Sequence, residues 1–114
     1  MKRGEIWTVA GGPDYTAKPR PVAILQDDRF EALLSVTFCP FTTNPTPAPL
    51  FRLPVKASES NGLKEGSSLM VDKIATAART KVGRRIGRLD DEDIVRLNRA
   101  IVVFLGLGGR SPET

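Results

Sequence analysis

The chain has 114 residues, 40% of them hydrophobic and 26% charged, which suits one soluble globular domain over residues 1–114 and excludes a disordered chain or a second compact core. A net charge of +4 is enough to attract phosphates and well short of a nucleic-acid packaging protein. No apolar run approaches the ~20 residues of a bilayer span, the opening Met1-Lys2-Arg3-Gly4-Glu5 lacks a secretory apolar stretch, and Cys39 is the single cysteine, so a cytoplasmic protein with no membrane association and no intramolecular disulfide is expected.

In chain order, Glu5 to Ala10 reads as a strand with Trp7 and Val9 on one face, Trp7 being a core residue. Turn residues Gly11-Gly12-Pro13 follow. Pro21 to Gln26 holds the continuous apolar run Val22-Ala23-Ile24-Leu25, suited to a strand buried on both faces. Leu34, Val36 and Phe38 alternate with Ser35, Thr37 and Cys39, the period-two signature of a half-buried strand. Five of nine prolines fall in residues 40–54, so that stretch is extended and loop-like. Within it Phe51, Leu53 and Val55 alternate with Arg52 and Pro54, and the proline marks an edge strand. Asn61-Gly62 and Gly66 mark turns. Ser68 to Ala78 is strand with a break near Asp72-Lys73, and Arg84 to Leu89 is a last, glycine-interrupted strand.

The sequence then changes period. Ile94, Leu97, Ile101 and Phe104-Leu105 follow the three-four spacing of one apolar helix face, which predicts a helix over about 90–105. Asp90 stands at the N-cap, and Asp91, Glu92 and Asp93 complement the positive end of the helix dipole. Leu89 and Ile94 are placed as a hydrophobic staple, and Gly106 supplies the stop. The acidic run is thereby a capping device rather than a metal site. Residues 107–114 read as a flexible tail. The sum is a mainly-β, α+β fold, a small barrel of antiparallel strands with a C-terminal helix packed on it.

Histidine is absent. That removes His–His ribonuclease chemistry, Ser-His and Cys-His nucleophiles and nearly all common zinc sites. Asp27-Asp28 are adjacent and would point apart on a strand, so no convergent two-metal site is suggested either, and no metal or cofactor is expected. An enzyme made from this chain works with Arg, Thr, Asp, Lys or Tyr. Residues 79–88 hold Arg79, Lys81, Arg84, Arg85 and Arg88 with no acid among them, which reads equally as a solvated face or as an RNA track.

Several segments resemble one known family in order. Arg3-Gly4-Glu5-Ile6-Trp7 opens the first strand, and Arg20-Pro21-Val22-Ala23-Ile24-Leu25 follows a Gly/Pro loop. Pro40-Phe41-Thr42-Thr43-Asn44 comes next, then Leu69-Met70-Val71-Asp72-Lys73-Ile74, and last Ile86-Gly87-Arg88-Leu89 before the helix. Each piece alone is unspecific; together they span nearly the whole chain and resemble the MazF/PemK-like endoribonuclease family of type II toxin–antitoxin systems. That resemblance implies an SH3-like barrel that homodimerises, binds single-stranded RNA in a groove and cuts it without a metal. It makes Arg20 the catalytic arginine and Thr42 the catalytic threonine. It also implies a cognate antitoxin, acidic and partly disordered, that competes for the same basic groove.

The chemistry can be asked of the residues directly. RNA cleaves itself when its 2′-hydroxyl is activated, the phosphorane charge is stabilised and the leaving 5′-oxygen gains a proton, giving 2′,3′-cyclic phosphate and 5′-hydroxyl ends. Arg20 lies between Pro19 and Pro21, which restrict its backbone. Its guanidinium stays protonated and can grip phosphate oxygens in a fork. Thr42 can donate to the same phosphate, and Asp14 is the candidate near the 2′-hydroxyl. Tyr15 and Phe41 are candidate base-stacking residues. Lys73, Arg79, Lys81 and Arg84 are candidate phosphate contacts, and Lys18, Thr43 and Asn44 complete the expected RNA-binding set. In isolation Arg20 reads as a surface arginine at a strand end and Thr42-Thr43 as turn residues. Several relatives carry a glutamate or histidine in the first loop, a few residues before the arginine, where this chain has Gly12-Pro13-Asp14-Tyr15-Thr16-Ala17-Lys18. Some also carry an arginine where this chain has Met70, so Asp72 reads as structural at least as readily as catalytic. Two other functions compete: a CcdB-like gyrase poison, whose terminal tryptophan is missing here, and an inactive RNA- or protein-binding module.

Overall fold

A computed structural model describes residues 1–10 and 18–109. Seven strands precede one helix: β1 (Glu5–Val9), β2 (Arg20–Ile24), β3 (Ser35–Thr42), β4 (Arg52–Val55), β5 (Ser67–Met70), β6 (Ala75–Ala78), β7 (Val82–Arg88) and α1 (Asp91–Leu105). All ladders are antiparallel, in the order β4-β5-β3-β2-β1-β7, with β6 also pairing β3.

The alternation of side chains along these strands builds two cores. Val22 and Ile24 of β2 pack with Val36 and Phe38 of β3, and Trp7, Val9, Ala77 and Val82 close around them. The residues between point the other way. Ile6, Ala23, Cys39, Phe41, Leu53 and Leu69 form the larger core, which α1 covers with Leu97 and Ala100. The continuous apolar run of β2 is thus explained by a strand buried on both faces. β3 serves one core with its first half and the other with its second. Leu97 is 1% exposed, and truncating such a residue to alanine costs roughly 2–5 kcal/mol.

Several sequence expectations need correction. The barrel is not closed: β7 pairs only β1 and β4 only β5 among the described residues, and a 3-10 turn at Arg79–Lys81 joins β6 to β7 where a closing ladder would run. Leu34, read as part of a buried face, is 85% exposed because β3 begins one residue later. At the far end of α1, Phe104 and Leu105 stay largely exposed, although the Phe104 ring leans on Phe51 with centroids 6.0 Å apart. The helix limits are as read from the sequence. The Asp90 carboxylate accepts from the Asp93 N–H at 2.8 Å, and Gly106 ends the helix at φ 70°. The break near Asp72 is a 3-10 turn, Val71–Lys73, between β5 and β6.

The connection from β4 to β5 is locked onto β7. Asn61 is buried, and its side chain accepts from the Ser58 and Leu63 N–H groups at 3.0 Å each and donates to the Lys56 carbonyl at 2.8 Å. Arg88 N–H donates to the Ser60 carbonyl at 2.9 Å. Two glycines permit this approach. Gly62 sits at φ 70° with its Cα against the Ile86 carbonyl, and Gly87 faces the Asn61 carbonyl, so a Cβ at either would overlap backbone. We therefore expect Gly62→Ala, which adds left-handed strain of about 1–2 kcal/mol before any clash, to lower Tm by on the order of 10 °C or more, measured by circular dichroism. An unchanged Tm would mean the loop relaxes away from β7.

Candidate functional site

The ladders collect the candidate groups at one end of the sheet. Arg20 is the first residue of β2 and pairs with Val9 on β1. Thr42 is the last residue of β3 and pairs with Ser68 on β5. Between β2 and β3 the register runs Ile24 with Phe38, Ala23 with Cys39 and Val22 with Pro40. Continued two residues further, it sets Arg20 level with Thr42. Arg20 is exposed and Thr42 half-buried. The Thr42 hydroxyl oxygen accepts from the Asn44 N–H at 3.1 Å, which orients the group and leaves its proton free to be donated.

A groove of about 380 Å³ lies at this end of the molecule. Its apolar lining is Pro19 and Pro21, which bracket Arg20, together with Leu63 and Ile86. Its polar lining is Thr8, Thr43, Ser67, Lys64, Glu65 and Arg84. Arg84 reaches it through a bulge. Trp7 pairs with Arg85 and Val9 with Val82, so β7 carries one more residue than β1 over this stretch, which re-aims a side chain. The Arg84 N–H is held by the Thr8 hydroxyl at 3.0 Å.

Of the expected RNA-binding residues, Thr43 and Arg84 line the groove, Lys18 is exposed two residues before Arg20, and Asn44 is exposed beside Thr42. Asp14 and Tyr15 lie outside the described residues. Lys73 and Lys81 are exposed but line no part of the groove. Phe41 is not a stacking platform: it is 3% exposed, paired with Leu69 inside the larger core. Its position alternates with Thr42 on β3, so the strand that presents the threonine must bury the phenylalanine. Arg79 is not a phosphate contact either. Its guanidinium donates to the Glu31 carbonyl and, at 3.3 Å, to the Leu33 carbonyl. It stands by the Ser35 end of β3, roughly 20 Å of strand from Thr42.

Two charged residues of the groove went unread in the sequence, Lys64 and Glu65. They follow the Asn61-Gly62 turn, and only its docking against Ile86 and Gly87 on β7 carries them to the site. Asp72 also has a partner that sequence spacing hides. Arg52, the cross-strand neighbour of Met70, holds both its carboxylate oxygens, at 2.7 and 2.9 Å. The pair is a brace between β4 and the Val71–Lys73 turn. Cys39 is buried in the core, and burial pushes its thiol up to about 12, so it is no nucleophile. Among the described residues, no three His, Cys, Asp or Glu side chains come together as a metal site.

Comparison with known proteins identifies the family and the fold. The family described as PemK-like, MazF-like toxin of type II toxin–antitoxin system matches residues 2–105. A probable endoribonuclease MazF of Mycolicibacterium smegmatis is 51% identical over 109 residues, covering 96% of this chain and all of the relative. Among solved structures, Mycobacterium tuberculosis toxin MazF-mt6 superposes with a TM-score of 0.76 at 29% identity, covering 90% of this chain and 96% of that one. An endoribonuclease from a mycobacterial species, solved in complex with its cognate antitoxin, shares the fold with a TM-score of 0.74 at 21% identity over 96% of this chain and 99% of that one.

The Arg52–Asp72 brace carries its own test. The hydrogen bonds from Arg52 hold the Asp72 carboxyl below its ordinary value of 3.8. A carboxylate whose folded-state pKa is depressed stabilises the fold above its unfolded pKa and stops doing so as pH falls through the folded value. Asp72→Asn is therefore expected to lower Tm at pH 7 by several degrees, with the gap to wild type closing below pH 4. A gap that persists unchanged in acid would assign the loss to packing instead.

Proposed function

The chain belongs to the PemK-like, MazF-like toxins of type II toxin–antitoxin systems, and from that premise we propose how it acts as their endoribonuclease: it cuts single-stranded RNA at Arg20 and Thr42 by transesterification through the substrate's own 2′-hydroxyl. The observation that carries this reading is the shared end of β2 and β3, which holds a restrained arginine and a threonine with a free hydroxyl proton, and whose adjoining residues Pro19, Pro21 and Thr43 line a groove.

In this reading the Arg20 fork grips the non-bridging oxygens of the scissile phosphate and offsets the charge that builds on the phosphorane. The Thr42 hydroxyl donates to the same phosphate. The 2′-oxygen forms the new bond to phosphorus as it loses its proton, and the 5′-oxygen leaves as it gains one. The products are a 2′,3′-cyclic phosphate and a 5′-hydroxyl. Guanidinium remains charged throughout, so Arg20 stabilises charge and is not the base; Asp14, in the segment before Arg20, is our candidate to take the 2′-hydroxyl proton, and a water molecule supplies the proton that the 5′-oxygen gains. Arg84, Lys64 and Lys18 draw the RNA backbone to this face.

The same cations suit an acidic, extended antitoxin segment, and we assign such a cognate partner to the groove. We further propose a homodimer, supported by the apolar residues that α1 leaves exposed, Val103, Phe104 and Leu105 among them. Protein and RNA would meet in the cytoplasm; no helix of the described residues is long and apolar enough to cross a membrane.

Incubating the purified protein with a long single-stranded RNA in EDTA should give discrete fragments with cyclic-phosphate and 5′-hydroxyl ends. Arg20→Ala and Thr42→Val should each slow cleavage by roughly 10²–10³-fold, the effect of removing one donor to a developing oxyanion. Wild-type rates in Arg20→Ala, or cleavage that disappears with the metal, would overturn the assignment. Intact RNA from folded protein, with growth arrest on expression, would turn the inquiry to a protein target such as gyrase.

A further inference from the structure

We propose that the groove beside Arg20 and Thr42 is a guanine-selecting base pocket and that Glu65 is its specificity determinant. The inference rests on the ribonuclease reading for the nature of the polymer, and on the groove itself for the choice of base. The puzzle it answers is a carboxylate lining a site whose other charged groups are cations. A negative charge beside RNA phosphates weakens binding unless it meets something that only a carboxylate recognises.

Glu65 is held ready for that task. Leu63 N–H is fixed by the buried Asn61 side chain at 3.0 Å, and the Ser67 hydroxyl donates to the Glu65 carbonyl at 3.1 Å. The backbone is thus pinned on both sides of Lys64-Glu65, and the turn is keyed to β7 by Gly62 and Gly87. Among the described residues, neither Lys64, Glu65 nor Arg84 joins any ion pair, although Lys64 and Glu65 are adjacent and opposite in charge. No side-chain donor of the described residues engages the Glu65 carboxylate.

A carboxylate is acceptor-only and takes two parallel N–H donors best. Guanine is the one base that offers them, N1–H and the N2 amine side by side. Adenine and cytosine present a single amine next to a ring nitrogen whose lone pair would repel the second carboxylate oxygen. Uracil presents one N–H between two carbonyls. The remaining edge of guanine, O6 and N7, is the acceptor pair that an arginine fork fits, and Arg84 lines the same groove. Pro19, Pro21, Leu63 and Ile86 give the ring an apolar lining, and the volume of about 380 Å³ is that of an ordinary small-molecule site. Arg20 and Thr42 do not themselves line the groove, but their chain neighbours Pro19, Pro21 and Thr43 do, so a base seated here lies against the backbone that carries the proposed catalytic pair.

The test uses uncleavable RNA, so that recognition is read separately from catalysis. Binding of 2′-O-methyl pentauridine carrying one guanosine, inosine, adenosine or cytidine at each position in turn would be followed by fluorescence anisotropy. At one position wild type should prefer guanosine over adenosine or cytidine by roughly 10- to 100-fold, the discrimination of a good bidentate pair. Inosine, which lacks the N2 amine, should fall between. Glu65→Gln should collapse the preference to within about threefold, since an amide offers one donor and one acceptor. Glu59→Gln, exposed in the preceding loop and outside the groove, should keep it. Equal binding of all bases by wild type, or a guanosine preference that survives Glu65→Gln, would overturn the proposal. Cutting a randomised RNA with the same preparations separates the two readings. Selective binding through Glu65 with no cleavage would sink the ribonuclease mechanism alone; cleavage at sites without a required guanine would sink the pocket alone.

Discussion

The contact on which the site depends is the backbone-to-backbone seating of the 56–66 connection on β7. It has no side chain on its closest faces: Gly62 meets the Ile86 carbonyl and Gly87 meets Asn61. Close approach of two chains leaves their polar groups little access to water, so each needs a partner. Asn61 meets that need within the turn, and the Arg88 to Ser60 hydrogen bond meets it across the seam. The consequence reaches the far side of the loop. With Leu63 and Ser67 fixed, Lys64 and Glu65 face the groove opposite a strand that comes from the other end of the sequence. One wall of the site is therefore as rigid as the sheet itself.

The other wall follows from how two cores share one set of strands. β2 and β3 bury residues on both faces, so neither can slip by one residue without exchanging its whole hydrophobic set. That fixed register sets Arg20 and Thr42 at matched strand ends, where the chain leaves the sheet and side chains are free to meet a ligand. The Arg52–Asp72 brace does the equivalent at the larger core, tying the edge strand to the turn that splits β5 from β6. The strands thus carry the proposed catalytic residues, and the bulge in β7 supplies Arg84.

Local signals in the chain were legible where physics is local. The Asp90 cap, the Gly106 stop and the 3.6-residue period of α1 need no knowledge of the fold, and neither does the double-faced burial of Val22 to Ile24. Arg20 and Thr42 were singled out through the order of five short segments, which the family membership explains. What escaped depends on long-range contacts. Phe41 and Arg79 carried the right chemistry for RNA, but a strand's alternation turns Phe41 inward and two loop carbonyls engage Arg79. Lys64 and Glu65 went unread, because the glycine seating that aims them involves residues more than twenty positions away. The brace on Asp72 was hidden for the same reason, its arginine lying across a ladder rather than along the strand.

Placing an acid among the cations of this groove has a consequence for the two ligands proposed to compete there. RNA and an acidic antitoxin segment both gain from Arg84, Lys64 and Lys18 through charge, a contribution that added salt screens. Glu65 separates them. To a peptide carboxylate it is a like charge with nothing to donate to it, so the antitoxin must keep its own acids away from this wall. To an RNA base with paired N–H donors it is a hydrogen-bonding partner in a partly enclosed, apolar-lined space, where such bonds are stronger and less sensitive to salt. On this proposal affinity in the groove is set mainly by its cations and choice of base by Glu65, the carboxylate that lines it among the described residues. That division lets a neutralising partner occupy the cationic part of the groove without copying the shape of a base.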